Sequence, residues 1–198
     1  MNSVAQTGAL TEALAAEQNG GVAKAVAQDR SLDLIAALAA GQTGGLDATL
    51  SLEETARIEV VFDFNRLKSI EDTESLSYAA QVIKDGRLGV ATSTKHGDAA
   101  HVLGKARDLT AYGAPAPYSF PAPAPVKRPA IYSEDVDKVT ARKMIDMGEE
   151  LTDFIRRLHS DVNGGARISK VVRRNSIVNT KGLDASWDGT SFAVPSVV

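Results

Sequence analysis

The sequence predicts an α+β fold in which helices pack on antiparallel β-meanders, arranged as a tandem helix-plus-meander repeat. Three observations lead there. Apolar residues recur at helical spacing in "SLDLIAALAAG" and "TARKMIDMGEELTDFIRRLHSD" but alternate in "ARIEVVFDF". An Asp85-Gly86 pair between two apolar runs supplies the positive-φ geometry of a type I′ hairpin turn. Finally, "ARIEVVFDFN" from Ala56 and "ARISKVVRRN" from Ala166 agree at five of ten positions, each following a helical pattern.

Residues 1–30, rich in Ala, Gln and Gly, read as a flexible N-terminal extension. A first α+β unit is expected over 31–112. Ser31 caps its helix, Leu32, Ile35 and Leu38 form the inward face, and Gly41 ends it. Four strands follow, "ARIEVVFDF", "RLKSIED", "SLSYAAQVIK" and "RLGVATST", with turns at Asn65, Asp72–Ser75 and Asp85-Gly86. Asp98 opens a second helix whose inward residues are Val102, Ala106 and Leu109, and Gly113 closes it.

Six of the seven prolines lie between residues 115 and 129, so 113–130 is expected as an extended Pro-rich linker. The second α+β unit, 131–198, carries the long helix, with Met144, Met147, Leu151, Phe154 and Leu158 as its core stripe. After Asn163-Gly164-Gly165 the strand text resumes. This unit lacks a counterpart of "GRLGVATST", so it is expected to be truncated at its C-terminal end, with Val198 either a fragment boundary or a point where another chain adds a strand.

Composition narrows the function classes. The 198 residues carry 22 Lys and Arg against 25 Asp and Glu, a net charge of −3, which argues against a dedicated nucleic-acid binder. With no cysteine, disulfides and thiolate chemistry are excluded. No window resembles a signal peptide or a membrane span, and a soluble, cytoplasmic protein is expected.

Catalytic signatures are sparse. His96, His101 and His159 lack metal-ligand spacing and read as surface residues. Glu71, Asp72 and Glu74 read as solvated turn charges, and Glu149-Glu150 as the polar face of the long helix. Gly86 and Gly89 belong to a hairpin and cradle no phosphate. Arg167, Lys170, Arg173, Arg174 and Lys181 could face an anion, but the plainer reading is an exposed strand whose charges discourage edge pairing. No catalytic, cofactor-binding or metal residue is assigned.

The order of these pieces resembles the N-terminal domain of the TldD/PmbA family, also known as modulators of DNA gyrase. The hairpin over residues 77–94, with Gly86-Arg87-Leu88-Gly89 and small residues ending in Thr, matches a family run. The turn Asn179-Thr180-Lys181-Gly182 matches another. The resemblance covers roughly residues 31–198. Ser77, Tyr78, Ala79 and Gln81 replace the glycines and arginine usual before the hairpin, and Thr180 stands where Ser is common, so this is a divergent member.

The resemblance implies a metalloprotease system of paired homologous subunits, homo- or heterodimeric, acting on peptides or unfolded proteins. Zinc is held by an HExxxH helix in the C-terminal domain of TldD-like subunits and is missing from PmbA-like partners. This sequence contains no such helix, so it carries no zinc-binding catalytic half, and enzyme activity of its own is not assigned. The implied role is a non-catalytic domain that aids dimer assembly and walls a peptide chamber. The alternative is a free-standing α+β protein-interaction module. Nucleic acid and membrane are not expected partners.

Overall fold

The computed structural model describes residues 32–41, 45–125, 130–158 and 161–197. The expected Ser31 cap, His159 and the 1–30 extension lie outside them. The first helix, α1, covers residues 32–41. Three antiparallel strands follow: β1 (Asp47–Asp63), β2 (Arg66–Lys84) and β3 (Arg87–Ser93). Then come α2 (Ala99–Leu109), the two-residue β4 (Ala114–Pro115), the short α3 (Glu134–Asp137) and α4 (Ala141–Leu158). The chain ends in β5 (Gly165–Asn179), β6 (Asp184–Ala193) and β7 (Ser196–Val197).

All seven strands form one sheet, ordered β4-β3-β2-β1-β5-β6, with β7 continuing alongside β5. The two meanders read in the sequence are thus the two halves of one surface, joined where β1 pairs with β5 from Thr49↔Asn179 to Phe62↔Ala166.

The helices share one face of this sheet. Period-two alternation sends Leu50, Leu52, Val60 and Phe62 of β1 to that side. The register sets Leu50 between Ala80 and Val178, and Val60 against Ile168. Two separate apolar clusters result. One joins Leu34, Ala37 and Leu38 of α1 and Val102, Leu103 and Ala106 of α2 to one end of the sheet. The other seats Met144 of α4 on Val60, Phe62, Ala166 and Ile168 at the opposite end. Each fully buried aliphatic side chain contributes about 1.5–3 kcal/mol.

Several expectations are corrected. β1 begins at Asp47, nine residues before Ala56, because "DATLSLEE" also alternates. The expected turn at Asp72–Ser75 does not exist. "RLKSIED" and "SLSYAAQVIK" are one 19-residue strand, its polar residues tolerated because that stretch is exposed. The first meander therefore has three strands, two long ones and the seven-residue β3.

Helix faces also rotate. In α1, Leu32 and Ile35 are exposed, while Leu34, Ala37 and Leu38 are buried. In α2, Leu109 is exposed and Leu103 takes the inward position. In α4, Met144 is buried and Met147 and Leu151 pack half-buried against the same cluster as expected, but Gly148, Thr152 and Ile155 lie deepest, leaving Phe154 and Leu158 exposed. The stripe turned because Phe62 occupies the space beside Gly148; any β-carbon there would overlap its ring. The buried Thr152 hydroxyl satisfies itself on the carbonyls of Gly148 (3.0 Å) and Glu149 (3.1 Å).

Asp98 precedes α2 as expected, yet its carboxylate caps no helical N–H; it accepts the Ser93 hydroxyl at 2.6 Å. Gly89 in β3 has no room for a β-carbon because the Ala106 carbonyl of α2 lies against it, which explains the small residues of "GRLGVATST". The Asp85-Gly86 turn is as predicted, with φ of 51° and 70°.

The Pro-rich segment is a strap. It leaves β4 and crosses the face opposite the helices. Ala116 and Phe120 pack on Ile83 and Leu88 there. The Asp47 carboxylate accepts the Phe120 N–H (2.9 Å), and the Asn179 side chain donates to the Pro121 carbonyl (2.9 Å). Beyond it, Ile131 accepts the Thr190 N–H (2.9 Å) at the β6 edge before the chain reaches α3 on the helical side.

Candidate functional site

Between the two helical clusters the sheet is uncovered, and a trough of about 540 Å³ opens there. Its floor follows directly from strand periodicity. Glu54, Ala56 and Ile58 of β1 lie beside Asp72, Glu74 and Leu76 of β2, with Lys170, Val172 and Arg174 of β5 on the other flank. Asp137 of α3 closes one side.

Charge in the trough is uneven. Lys170 is spent structurally, its ammonium donating to the main-chain carbonyls of Asp137 (3.0 Å) and Val139 (2.7 Å). The Asp137 carboxylate accepts the Tyr132 hydroxyl at 2.7 Å. That hydrogen bond, with burial and the neighbouring carboxylates, pushes the Tyr132 phenol up to about 12. At the α3 rim, Glu134 and Lys138 form an exposed i,i+4 pair at 2.8 Å. The pairing lowers the Glu134 carboxyl and raises the Lys138 ammonium.

A second feature borders the trough. β3 pairs with β2 only from Tyr78 to Lys84, so Arg66–Ser77 has β1 on one side and, among the described residues, no strand on the other. This free edge is largely exposed and carries Glu71, Asp72 and Glu74.

The opposite face holds a smaller pocket of about 230 Å³ beneath the strap, lined by Thr49, Ser51, Gln81, Phe120 and Asn179 among others. The turn at its end explains the Asn179-Thr180-Lys181-Gly182 motif. The Asn179 side-chain oxygen accepts the Lys181 and Leu183 N–H groups, both at 2.9 Å, and Gly182 takes φ of 89°. Thr180 donates its hydroxyl to Asp47 (3.1 Å) and accepts the Ala48 N–H (3.0 Å). The motif is a structural lock for hairpin and strap together.

The other singled-out residues do not converge. His96 and His101 are exposed near the start of α2, and Glu149 and Glu150 are exposed on α4. The basic run is not an edge strand, since β5 lies between β1 and β6. Arg167 pairs with the buried Glu59 at 2.7 Å, and Arg57 joins the same carboxylate. Arg167 and Arg173 lie on the strap side of the sheet, whereas Lys170 and Arg174 face the trough. Among the described residues, no three His, Asp or Glu side chains gather as metal ligands would. No described helix is long and apolar enough to cross a membrane.

Sequence reasoning missed the trough because it read Asp72–Ser75 as a turn. The available signal was alternation: "E-T-A-R-I" in β1 and "D-T-E-S-L" in β2 each set charge then apolar residues on one face.

No protein-family model and no curated protein sequence matches the chain. Its fold, however, matches solved structures. TldE from Thermococcus kodakarensis superposes with a TM-score of 0.71 at 14% identity, covering 80% of this chain and 37% of that one. A proposed modulator of a DNA gyrase from Thermotoga maritima gives 0.66 at 16% identity, covering 86% and 41%. Its counterpart from Bacteroides thetaiotaomicron gives 0.70 at 12% identity, covering 85% and 40%. The resemblance to the TldD/PmbA family holds at the level of the fold, and the chain spans about two-fifths of those structures' length.

Proposed function

We propose, from the fold shared with TldE and gyrase-modulator structures, that this chain is a non-catalytic domain of a TldD/PmbA-type metalloprotease subunit. The observation that carries the reading is the superposition on TldE over 80% of the chain. On this reading the domain assembles with a homologous subunit, and zinc belongs to a different region of an active member. The trough between the helical clusters forms one wall of a chamber for peptides or unfolded chains. It is suited to binding and not to bond cleavage. Its floor mixes Ile58, Leu76 and Val172 with carboxylates, and its one tyrosine-linked acid, Asp137, is held by structural hydrogen bonds.

The experiment is assembly. The chain is mixed with a TldD-like homologous subunit and the mass of the product is measured by light scattering after gel filtration. A complex heavier than either component supports the reading. Two independently eluting species, each at its own mass, overturn the subunit role and leave a free-standing interaction module.

A further inference from the structure

We infer that the free edge of β2, Arg66–Ser77, takes up an extended peptide segment bearing lysine or arginine as an added strand. The inference builds on the peptide-handling role proposed above and names the segment's chemistry and seat.

The backbone supplies the first argument. A strand with one neighbour presents a row of N–H and C=O groups ready to pair, and main-chain bonding to such an edge is a general mode of peptide capture. Between Arg66 and Ser77 there is no proline to interrupt it. The register irregularity of β1–β2 falls at Val61/Phe62, by the turn, leaving pairs from Ser69 to Ser77 regular.

Charge selects the occupant. Three of the four residues from Glu71 to Glu74 are acidic, and the nearby Lys68 is engaged with Asp63 at 2.8 Å. On an added strand, alternate side chains lie beside Asp72 and Glu74 over the trough, and the others beside Glu71 on the opposite face. A lysine or arginine pointing to the trough lies beside the Asp72 and Glu74 carboxylates of β2, and its methylenes can cover Leu76 on the same face of that strand. An acidic strand is repelled on both faces. A second copy of this chain fits poorly. Antiparallel pairing of two such edges keeps like faces together, so near-full overlap sets Asp72 opposite Asp72 or Glu71 opposite Glu71.

The test uses the 198-residue chain and fluorescent extended peptides read by polarisation. A peptide alternating lysine with threonine and valine is expected to bind, and its glutamate counterpart is not. Methylating the backbone nitrogens of the lysine peptide keeps its charge but removes its strand donors, and is expected to abolish binding. Asp72→Asn with Glu74→Gln, both exposed and harmless to folding, is expected to weaken the lysine peptide roughly fivefold. Three results overturn the inference: no binding of the lysine peptide, equal binding after backbone methylation, or unchanged affinity of the double variant. Self-association of the chain that excludes the peptide also overturns it, giving the edge to a second copy. No second subunit is present, so failed subunit assembly with intact peptide binding sinks only the family role.

Discussion

The β1–β2 turn places two non-glycine residues, Phe64 and Asn65, at φ of 50° and 57°. Asn tolerates the left-handed region, whereas a bulky residue there is strained by about 1–2 kcal/mol. What holds the turn is Asn65. Its side chain donates to the Val162 carbonyl and accepts the Gly164 N–H, both at 2.9 Å, while Arg156 donates to its carbonyl at 2.7 Å. Phe64 is 67% exposed and gives little packing in return. Phe64→Asn is therefore expected to stabilise the protein by about 0.5–1 kcal/mol, seen as a higher urea midpoint with unchanged slope. Asn65→Ala is expected to lose about 2 kcal/mol, since it strands the Gly164 N–H and forces alanine into the left-handed region. A neutral or opposite effect for either would show that the turn is held elsewhere. Nothing in the sequence but Asn65 marks this turn, because the usual Asn-Gly signal is missing and the compensation comes from about a hundred residues away.

Among the elements, the strap is the one whose role changed most between sequence and structure. Its prolines lead one to expect extended chain, but composition is blind to what such chain crosses. Asp47, Phe120 and Asn179 seat it, and those contacts span 73 and 58 residues of sequence. Strand alternation and the Asp85-Gly86 turn were legible because they are local; the deepest line of α4 was not, because Phe62, a remote residue, decides which side of that helix fits. Asp47→Ala is expected to cost about 2 kcal/mol by leaving the Phe120 N–H without its acceptor. It should also expose the segment around Phe120 to limited proteolysis; a variant as resistant as the parent would show the strap is held by packing alone. At α3, the raised Tyr132 phenol has a readable consequence. Its folded value, about 12, lies above the unfolded value near 10, so its stabilising contribution is present below pH ~10 and is lost as pH rises toward 12. Ultraviolet titration is expected to show one tyrosine ionising near pH 12, absent in Tyr132→Phe. If that variant retains the late transition, the Asp137 hydrogen bond is not its cause.

At the scale of the molecule, the problem is how two apolar clusters separated by an open trough fold as one unit. Neither contacts the other through its helices; α1 and α2 serve one end and α4 the other. The connection is the strands. β1 runs 17 residues and carries both Leu50 of the first cluster and Val60 of the second, and β5 carries Val178 and Ile168. Melting either end would leave long strands that keep their hydrogen-bonded ladder but lose the cover on one face, so the ends are coupled through shared backbone pairing. The free edge of β2 and the trough sit at the middle of this coupling, where a ligand strand would bind without displacing core. Leu50→Ala and Met144→Ala, both at fully buried positions, are each expected to cost about 2–5 kcal/mol. In each variant, Trp187 fluorescence from β6 and far-ultraviolet circular dichroism should report a single coincident transition, shifted by the same amount. Should Met144→Ala separate the two probes into distinct steps while Leu50→Ala moves only one, the sheet does not transmit stability between its ends, and the two halves are independent folding units sharing a ladder.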